Sequence, residues 1–421
     1  MQDVRFAIRS LIKNPGFAAV AILTLALGIG ANTAIFSLVN GALIRPLPYP
    51  DADRIAHVSW LSPAGGDSAL TIKSFTFIKE NANSFEAAAA YSFPSTYNLW
   101  TGEQAASIEG LAVSEDLLRV LAVSPLLGRG FLSEENRAGA PRVVILSYGL
   151  WRDYLGGDAG AVGRSIELNG QPYTVVGVLP QSFSFAPRAD VWLPLMAIHS
   201  ADQGENFEML ARLKSAINMS QAQSEIDAVV ESFREQFPDR TGRDFRGARL
   251  DLYQSWLVGD TRSTLLILLG AVGLVLLIAC ANVANLMLAR AALREREMAV
   301  RAALGASRWR ILRLMITESL VLSAVGGVAG LLAARWITDA MLAISPGDAV
   351  MKDGAAIDFR VLIFALAISL FTGIATGLVS SLRVSSKGLT DALKQGGRAG
   401  AARHRLRSAL IISEVALSLV L

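Results

Sequence analysis

Four stretches of this chain, residues 17–44, 264–288, 314–334 and 361–382, stay apolar for about the length that carries a helix across a bilayer. A helix satisfies its backbone hydrogen bonds internally, which is the condition lipid sets for a spanning segment. The 421 residues are 52% hydrophobic and 18% charged, against about a quarter charged in an ordinary soluble domain. The first run would reach roughly 40 Å as a helix, beyond the ~30 Å hydrocarbon core, so it tilts or projects. A signal peptide is the competing reading of that run. It is disfavoured because the run exceeds an apolar signal core and ends in Arg45-Pro46-Leu47-Pro48, a poor cleavage site. A fifth run opens near Ser408 and stops at Leu421, too short to span. The expectation is that the natural chain continues through that helix.

Lys and Arg set the expected orientation, because they accumulate on the cytoplasmic side. The N-terminal segment carries Arg5, Arg9 and Lys13. The connection after the second run carries Arg290, Arg294, Arg296, Arg301, Arg308, Arg310 and Arg313, and the tail after the fourth carries Arg383, Lys387, Lys394, Arg398, Arg403, Arg405 and Arg407. The remaining short connection holds Asp339, Asp348, Asp353 and Asp358 and few bases. These agree on a cytoplasmic N-terminus, residues 45–260 outside and residues 290–313 inside. The formal net charge of +3 is too mild to suggest nucleic acid.

Val4, Ala7, Ile8, Leu11 and Ile12 recur at helical spacing, while Arg5, Arg9 and Lys13 step along another face. Residues 1–16 read as an interfacial amphipathic helix, or more simply as a basic flank. Residues 45–260 are long enough for one or two domains, with a mixed pattern. Residues 54–60, 143–146, 165–168 and 173–178 read as strands, with Asn169-Gly170 supplying a hairpin turn. Residues 220–237 read as an amphipathic helix with Ala222, Ile226, Val229, Val230 and Phe233 inward and Ser220 as N-cap. The expected architecture is an α-helical membrane protein with a large α+β extracytoplasmic domain inserted between transmembrane helices 1 and 2. Its expected boundaries are 1–16, helix 17–44, domain 45–260, helix 261–289, cytoplasmic segment 290–313, two helices in 314–382, a basic linker 383–407 and a cut fifth helix 408–421.

Enzyme chemistry is not visible. No phosphate-cradling Gly-x-x-x-x-Gly-Lys-Ser/Thr occurs. His57, His199 and His404 are far apart and lie in no metal-ligand spacing. Cys280, the one cysteine, sits in an apolar run and reads as packing. No catalytic, cofactor or metal residues are assigned, and the outer carboxylates read as solvated surface.

Within the spans, Glu318 is the exceptional ionisable residue. It reads as a functional acid, or as one neutralised by an arginine of 290–313 or snorkelling to the interface. Asn282 and Asn285, a helical turn apart, could bond neighbouring helices. Gly326-x-x-x-Gly330 and Gly373-x-x-x-Gly377 permit close packing. The segment 293–313 keeps Met298, Val300 and Leu304 among charges. Gly305 can end one helix and Ser307 cap the next. It reads equally as a surface for a partner to push on and as a basic connector that fixes topology.

Residues 296–308, Arg-Glu-Met-Ala-Val-Arg-Ala-Ala-Leu-Gly-Ala-Ser-Arg, followed by Thr317-Glu318-Ser319, resemble the MacB/FtsX-like permeases, the membrane subunits of type VII ABC systems. Residues 11–17 and 25–31, Pro46-Leu-Pro-Tyr49 and residues 173–180 are also similar, so the resemblance covers nearly the whole chain. In detail it is most similar to duplicated permeases described from acidobacteria, in which two such halves share one chain. The resemblance implies four helices per unit, a homodimer or fused pseudo-dimer, and a separate cytoplasmic ABC ATPase docking between helices 2 and 3. By position, Glu297, Met298, Arg301, Gly305, Ala306 and Arg308 would lie on or near that surface. It further implies mechanotransmission, in which the ATPase moves the outer domains for export or envelope processes, with a periplasmic partner, in the bacterial inner membrane. The alternatives are an extracytoplasmic binding or regulatory membrane protein without transport, and a secondary transporter, which the scarcity of intramembrane charge disfavours.

Overall fold

The computed structural model describes residues 2–62, 65–100, 105–195, 207–237, 246–259, 261–293, 308–344 and 358–386. The expected fifth helix at 408–421, the linker beyond residue 386 and the turn at Gly305 and Ser307 lie outside them. The chain opens with α1 (Gln2–Ile12) and α2 (Pro15–Val39), and α2 runs into a π turn over Asn40–Ile44. The inserted residues hold β1 (Ile55–Leu61), β2 (Asp67–Ser68), α3 (Ile72–Asn81), β3 (Phe85–Ser92), β4 (Ser95–Trp100), β5 (Ala105–Val113) and α4 (Leu117–Leu121). Then come β6 (Leu127–Gly128), β7 (Val143–Leu146), α5 (Tyr148–Leu155), β8 (Ser165–Leu168), β9 (Gln171–Val178) and β10 (Val191–Pro194). They close with β11 (Phe207–Leu213), α6 (Met219–Gln236), β12 (Gly247–Leu252) and α7 (Tyr253–Val258). After them run α8 (Thr261–Leu293), α9 (Arg308–Ile344) and α10 (Phe359–Ser386). The contacts separate a membrane unit, built from α1, α2 and α8–α10, from an inserted unit over Arg45–Gly259.

In the membrane unit, four helices among the described residues are long and apolar enough to cross a bilayer: Pro15–Ile44, Thr261–Arg290, Leu312–Ala340 and Phe359–Leu378. Apolar attraction between helices is weak in lipid, so close backbone approach and a few polar bonds hold such a bundle. Both occur here. A Cβ on Gly330 would stand 2.9 Å from the Ala26 carbonyl oxygen, so α9 meets α2 backbone to backbone. A Cβ on Gly377 would stand 3.0 Å from Ile316 Cα, which brings α10 equally near α9. Asn32 Nδ2 donates to Val272 O at 2.7 Å, joining α2 to α8. At the far end of α2, Asn40 donates to Asp358 at 2.8 Å and Arg360 to Ile44 O at 3.2 Å.

The inserted unit is α+β, built on one sheet with two regions. The strands β3, β11, β1 and β12 are antiparallel neighbours. The strands β5, β4, β8, β9, β7 and β10 pair in sequence, and β10 returns to β5, closing a ring. The ring fills with Leu99, Ile108, Val144, Ile166, Val175 and Leu193. Closure removes free sheet edges there. Val144 and Leu146 face this interior while Val143 and Ile145 face the neighbouring core, so β7 is apolar throughout because both its faces are covered. Asn169 and Gly170 both take positive φ, 49° and 75°, the geometry a two-residue turn between β8 and β9 requires.

The open region carries α3 and α6 on one face. Phe233 of α6 sits among the rings of Trp60, Phe77 and Phe237 at 6.1, 5.1 and 5.0 Å. Its burial is worth about 3 kcal/mol. The five inward residues expected on this helix are all buried. Its N-cap is Asn218, not Ser220: the helix begins at Met219, and Asn218 and Gln221 cap each other reciprocally. Reading the period located the helix but not the polar residue with extended backbone that starts it. Asn218→Ala is therefore expected to cost about 1 kcal/mol, and Ser220→Ala almost nothing, read by hydrogen exchange in the first turn of α6.

The opposite face of β1 is covered too. His57 and Ser59, the polar residues of the alternating pattern, are buried. His57 lies 2.7 Å from Glu208 and stacks on Trp256 at 3.7 Å. The carboxylates of this unit are not all solvated surface: Glu135 is 7% exposed. The Arg129 guanidinium bonds both its oxygens and holds its pKa below the usual carboxylate range.

Candidate functional site

The expected coupling surface falls on the connection between α8 and α9. Glu297, Met298, Arg301, Gly305 and Ala306 lie outside the described residues, and Arg308 is the first residue of α9. The described helix ends on either side of this connection hold a buried polar cluster. Its centre is Arg290, near the end of α8. Arg290 Nη1 donates to Glu318 Oε1 at 2.9 Å. Arg290 Nη2 donates to Ser10 O at 2.7 Å and to Ser10 Oγ at 2.9 Å, and Ser10 Oγ donates to Glu318 Oε1 at 2.7 Å. The guanidinium also lies over the Phe17 ring, 4.5 Å from its centre. One α8 side chain thus touches α1, α2 and α9.

Local sequence explains the placement. Ala7, Ser10 and Leu11 recur at helical spacing, are all buried, and form the face α1 turns to the bundle. Val4, Ile8 and Ile12 stay exposed at 44%, 45% and 71%, beside exposed Arg5, Arg9 and Lys13. The helix breaks at Lys13 and Asn14 and restarts at Pro15, a residue suited to a first helical position, so α1 can turn against α9 before α2 begins. Arg313 and Asp3 add an ion pair at 2.6 Å between α9 and α1. It is solvent-screened and worth little energetically.

The Arg290–Glu318 pair differs in kind, since each side chain is only 11% exposed. Separating two such charges inside an apolar bundle costs several kcal/mol. Glu318 is therefore a carboxylate engaged by both a guanidinium and a hydroxyl. Asn282 and Asn285 lie half-buried on α8, and among the described residues neither forms a bond to a neighbouring helix. That bridging runs through Asn32 instead. Sequence reasoning missed Ser10 and Asn32, because a lone small polar residue on an apolar face gives no signal until its partner helix is known. The arginine of 290–313 expected to neutralise Glu318 is Arg290, which the antiparallel packing of α8 and α9 brings to it.

Among the described residues no group of acids, histidines and cysteines could hold a metal ion. The cleft in the inserted unit between Glu115, Phe131, Ile145 and Trp192 is water-sized.

The four long apolar helices among the described residues, with an α+β domain spliced between the first and second, define an integral membrane protein of the permease type. Residues 18–229 match the family model of the MacB-like periplasmic core domain, and residues 269–389 that of the FtsX-like permease C-terminal domain. The chain belongs to this MacB/FtsX-like family of ABC transporter permeases, and the inserted unit is its extracytoplasmic domain. Neither matched domain is an ATP-binding domain, and permeases of this family work with ABC ATPases. The chain is 24% identical to the uncharacterized ABC transporter permease YvrN of Bacillus subtilis, covering 94% of this chain and 99% of that one. It is 25% identical to the pyoverdine export ATP-binding/permease protein PvdT of Pseudomonas syringae over 62% of this chain and 39% of the relative. With the macrolide export ATP-binding/permease protein MacB of Neisseria gonorrhoeae the identity is 23% over 94% of this chain and 61% of the relative. The chain thus spans less than two thirds of the length of these two export proteins.

Proposed function

We propose that the chain is the permease subunit of an ABC-type mechanotransmission system in a bacterial inner membrane. A separate cytoplasmic ATPase docks on residues 290–313, and its cycle moves the extracytoplasmic domain for export or another envelope process. The observation that carries this reading is the direct splice. The π turn at Asn40–Ile44 leads straight into the inserted unit, and α7 ends at Val258, just before α8 opens at Thr261. A helix displaced at one end can therefore act on the domain without a long linker to absorb the motion. The arginines of 290–313, with Arg5, Arg9 and Lys13, support a cytoplasmic N-terminus. The names of the PvdT and MacB relatives support efflux as the class of process. A second permease half, as a homodimer or a fused pseudo-dimer, completes the assembly.

The test is purification of the full chain from its native membrane with whatever ATPase remains bound. Arg301→Glu is expected to lower the permease-dependent ATP hydrolysis about tenfold, the scale of a coupling free energy between two sites, at unchanged membrane abundance. Equal hydrolysis and equal co-purification in wild type and variant would remove the docking reading. Recovery of an envelope protein with no ATPase would favour a binding or regulatory role.

A further inference from the structure

Arg290 stands three positions before the last residue of α8, and Glu318 lies in the third turn of α9. The two residues therefore bracket the connection on which the proposed ATPase acts. Ser10 brings a third element to the same point. Its hydroxyl accepts from Arg290 and donates to Glu318, while its carbonyl accepts from Arg290 as well. Phe17 supplies a ring to the same guanidinium. The ends of four helices meet at one buried charge.

We propose that Ser10, Arg290 and Glu318 are positioning residues, forming a clasp that makes α1 and both ends of the 294–307 connection move as one body. This inference rests on the coupling reading of that connection given above. The physical reason is the cost of any other motion. If α8 and α9 part at this level, an arginine and a glutamate are left unpaired among Leu11, Met287 and Leu322, all of them buried. Unpaired charges in such surroundings are strongly unfavourable. If α1 slides away alone, Ser10 deserts both charges at once. A push on the connection is therefore resisted inside the clasp and passes outward to the whole of α1 and to the base of α2. The same arrangement gives α1 a function beyond anchoring. Its exposed Val4, Ile8 and Ile12 and its cations face away from the bundle. Motion of the connection thus carries a lipid-facing helix with it.

Ser10→Ala separates this role from bundle stability, because it leaves the Arg290–Glu318 pair in place. The full chain is reconstituted in vesicles in a Cys280→Ser background with a nitroxide at Ile8→Cys, and is separately purified with its bound ATPase. Ser10→Ala is expected to raise the mobility of the α1 label and to lower permease-dependent ATP hydrolysis about fivefold, at unchanged abundance and thermal stability. Ser10→Thr, which keeps the hydroxyl, is expected to restore both. Label mobility and hydrolysis both unchanged in Ser10→Ala would overturn the clasp and leave Arg290–Glu318 as a bundle ion pair. Abundance lost in Ser10→Ala and not restored by Ser10→Thr would overturn it in favour of simple packing. Arg301→Glu keeps the two readings apart. If it leaves hydrolysis intact, the docking reading fails, while the label on α1 still reports whether Ser10 holds that helix.

Discussion

Gly330→Leu is expected to lower the membrane abundance of the chain severely and to destabilise what remains by about 3 kcal/mol or more. A Cβ at this position would stand 2.9 Å from Ala26 O, 3.0 Å from Gly30 N and 3.3 Å from Ile29 Cβ. Two of these atoms are backbone, which cannot rotate out of the way. A Cβ on Gly30 would likewise stand 2.9 Å from Gly330 O. The α2–α9 contact is therefore two glycine surfaces pressed together, and an isobutyl group must force the helices apart along their length. Parting them also strains Gly326, whose own Cβ position lies 2.8 Å from Leu25 Cβ. Gly270→Leu on α8 is the control, since a Cβ there meets nothing within 4 Å. Membrane abundance and thermal aggregation in detergent check the pair. Similar losses in both variants would mean that leucine bulk anywhere in a span is harmful and that the α2–α9 contact is not special.

That contact was half legible in the sequence. Gly326-x-x-x-Gly330 and Gly373-x-x-x-Gly377 marked where helices can approach, but such spacing also arises by chance. Neither motif names the helix it meets. The spans themselves were legible because hydrocarbon thickness fixes the length of an apolar run. In the inserted domain, short-range signals carried well. Asn169-Gly170 demands its turn through backbone sterics alone, and the face of α6 repeats with the helical period. Long-range pairings did not carry. Closure of the ring through the parallel β5–β10 pair depends on residues Gly110 and Val191, which lie far apart in sequence. The burial of His57 depends on Trp256, which returns from nearly two hundred positions away to stack on it. At the candidate site the same division holds. The acid in the third span was visible as an anomaly, whereas the serine that bridges it to Arg290 belongs to a different helix near the N-terminus.

A second large effect is expected from Arg212→Met, which should destabilise the extracytoplasmic domain by about 3 kcal/mol. Arg212 lies on β11 and is 3% exposed. Burial, reinforced by the neighbouring Arg54 guanidinium, pulls its pKa below the usual arginine range. Its hydrogen-bond partners here are carbonyls: Nε donates to Val120 O at 2.7 Å and Nη2 to Pro50 O at 2.9 Å, with a longer approach of Nη1 to Asp51 O at 3.5 Å. Val120 belongs to α4, and Pro50 and Asp51 belong to the segment that enters the domain after the first spanning helix. The guanidinium thus holds that entry segment against the sheet and helix behind it. Methionine fills much of the volume but offers no donors, so buried carbonyls lose their partners, which is the costly half of removing a hydrogen bond. Lysine keeps the charge but presents one compact ammonium where the guanidinium forks, so Arg212→Lys should recover only part of the loss. Hydrogen exchange over β11, α4 and residues 50–55 of the full chain is the measurement. Protection lost in all three together marks Arg212 as the tie between them, whereas protection lost in β11 alone would reduce it to a strand residue.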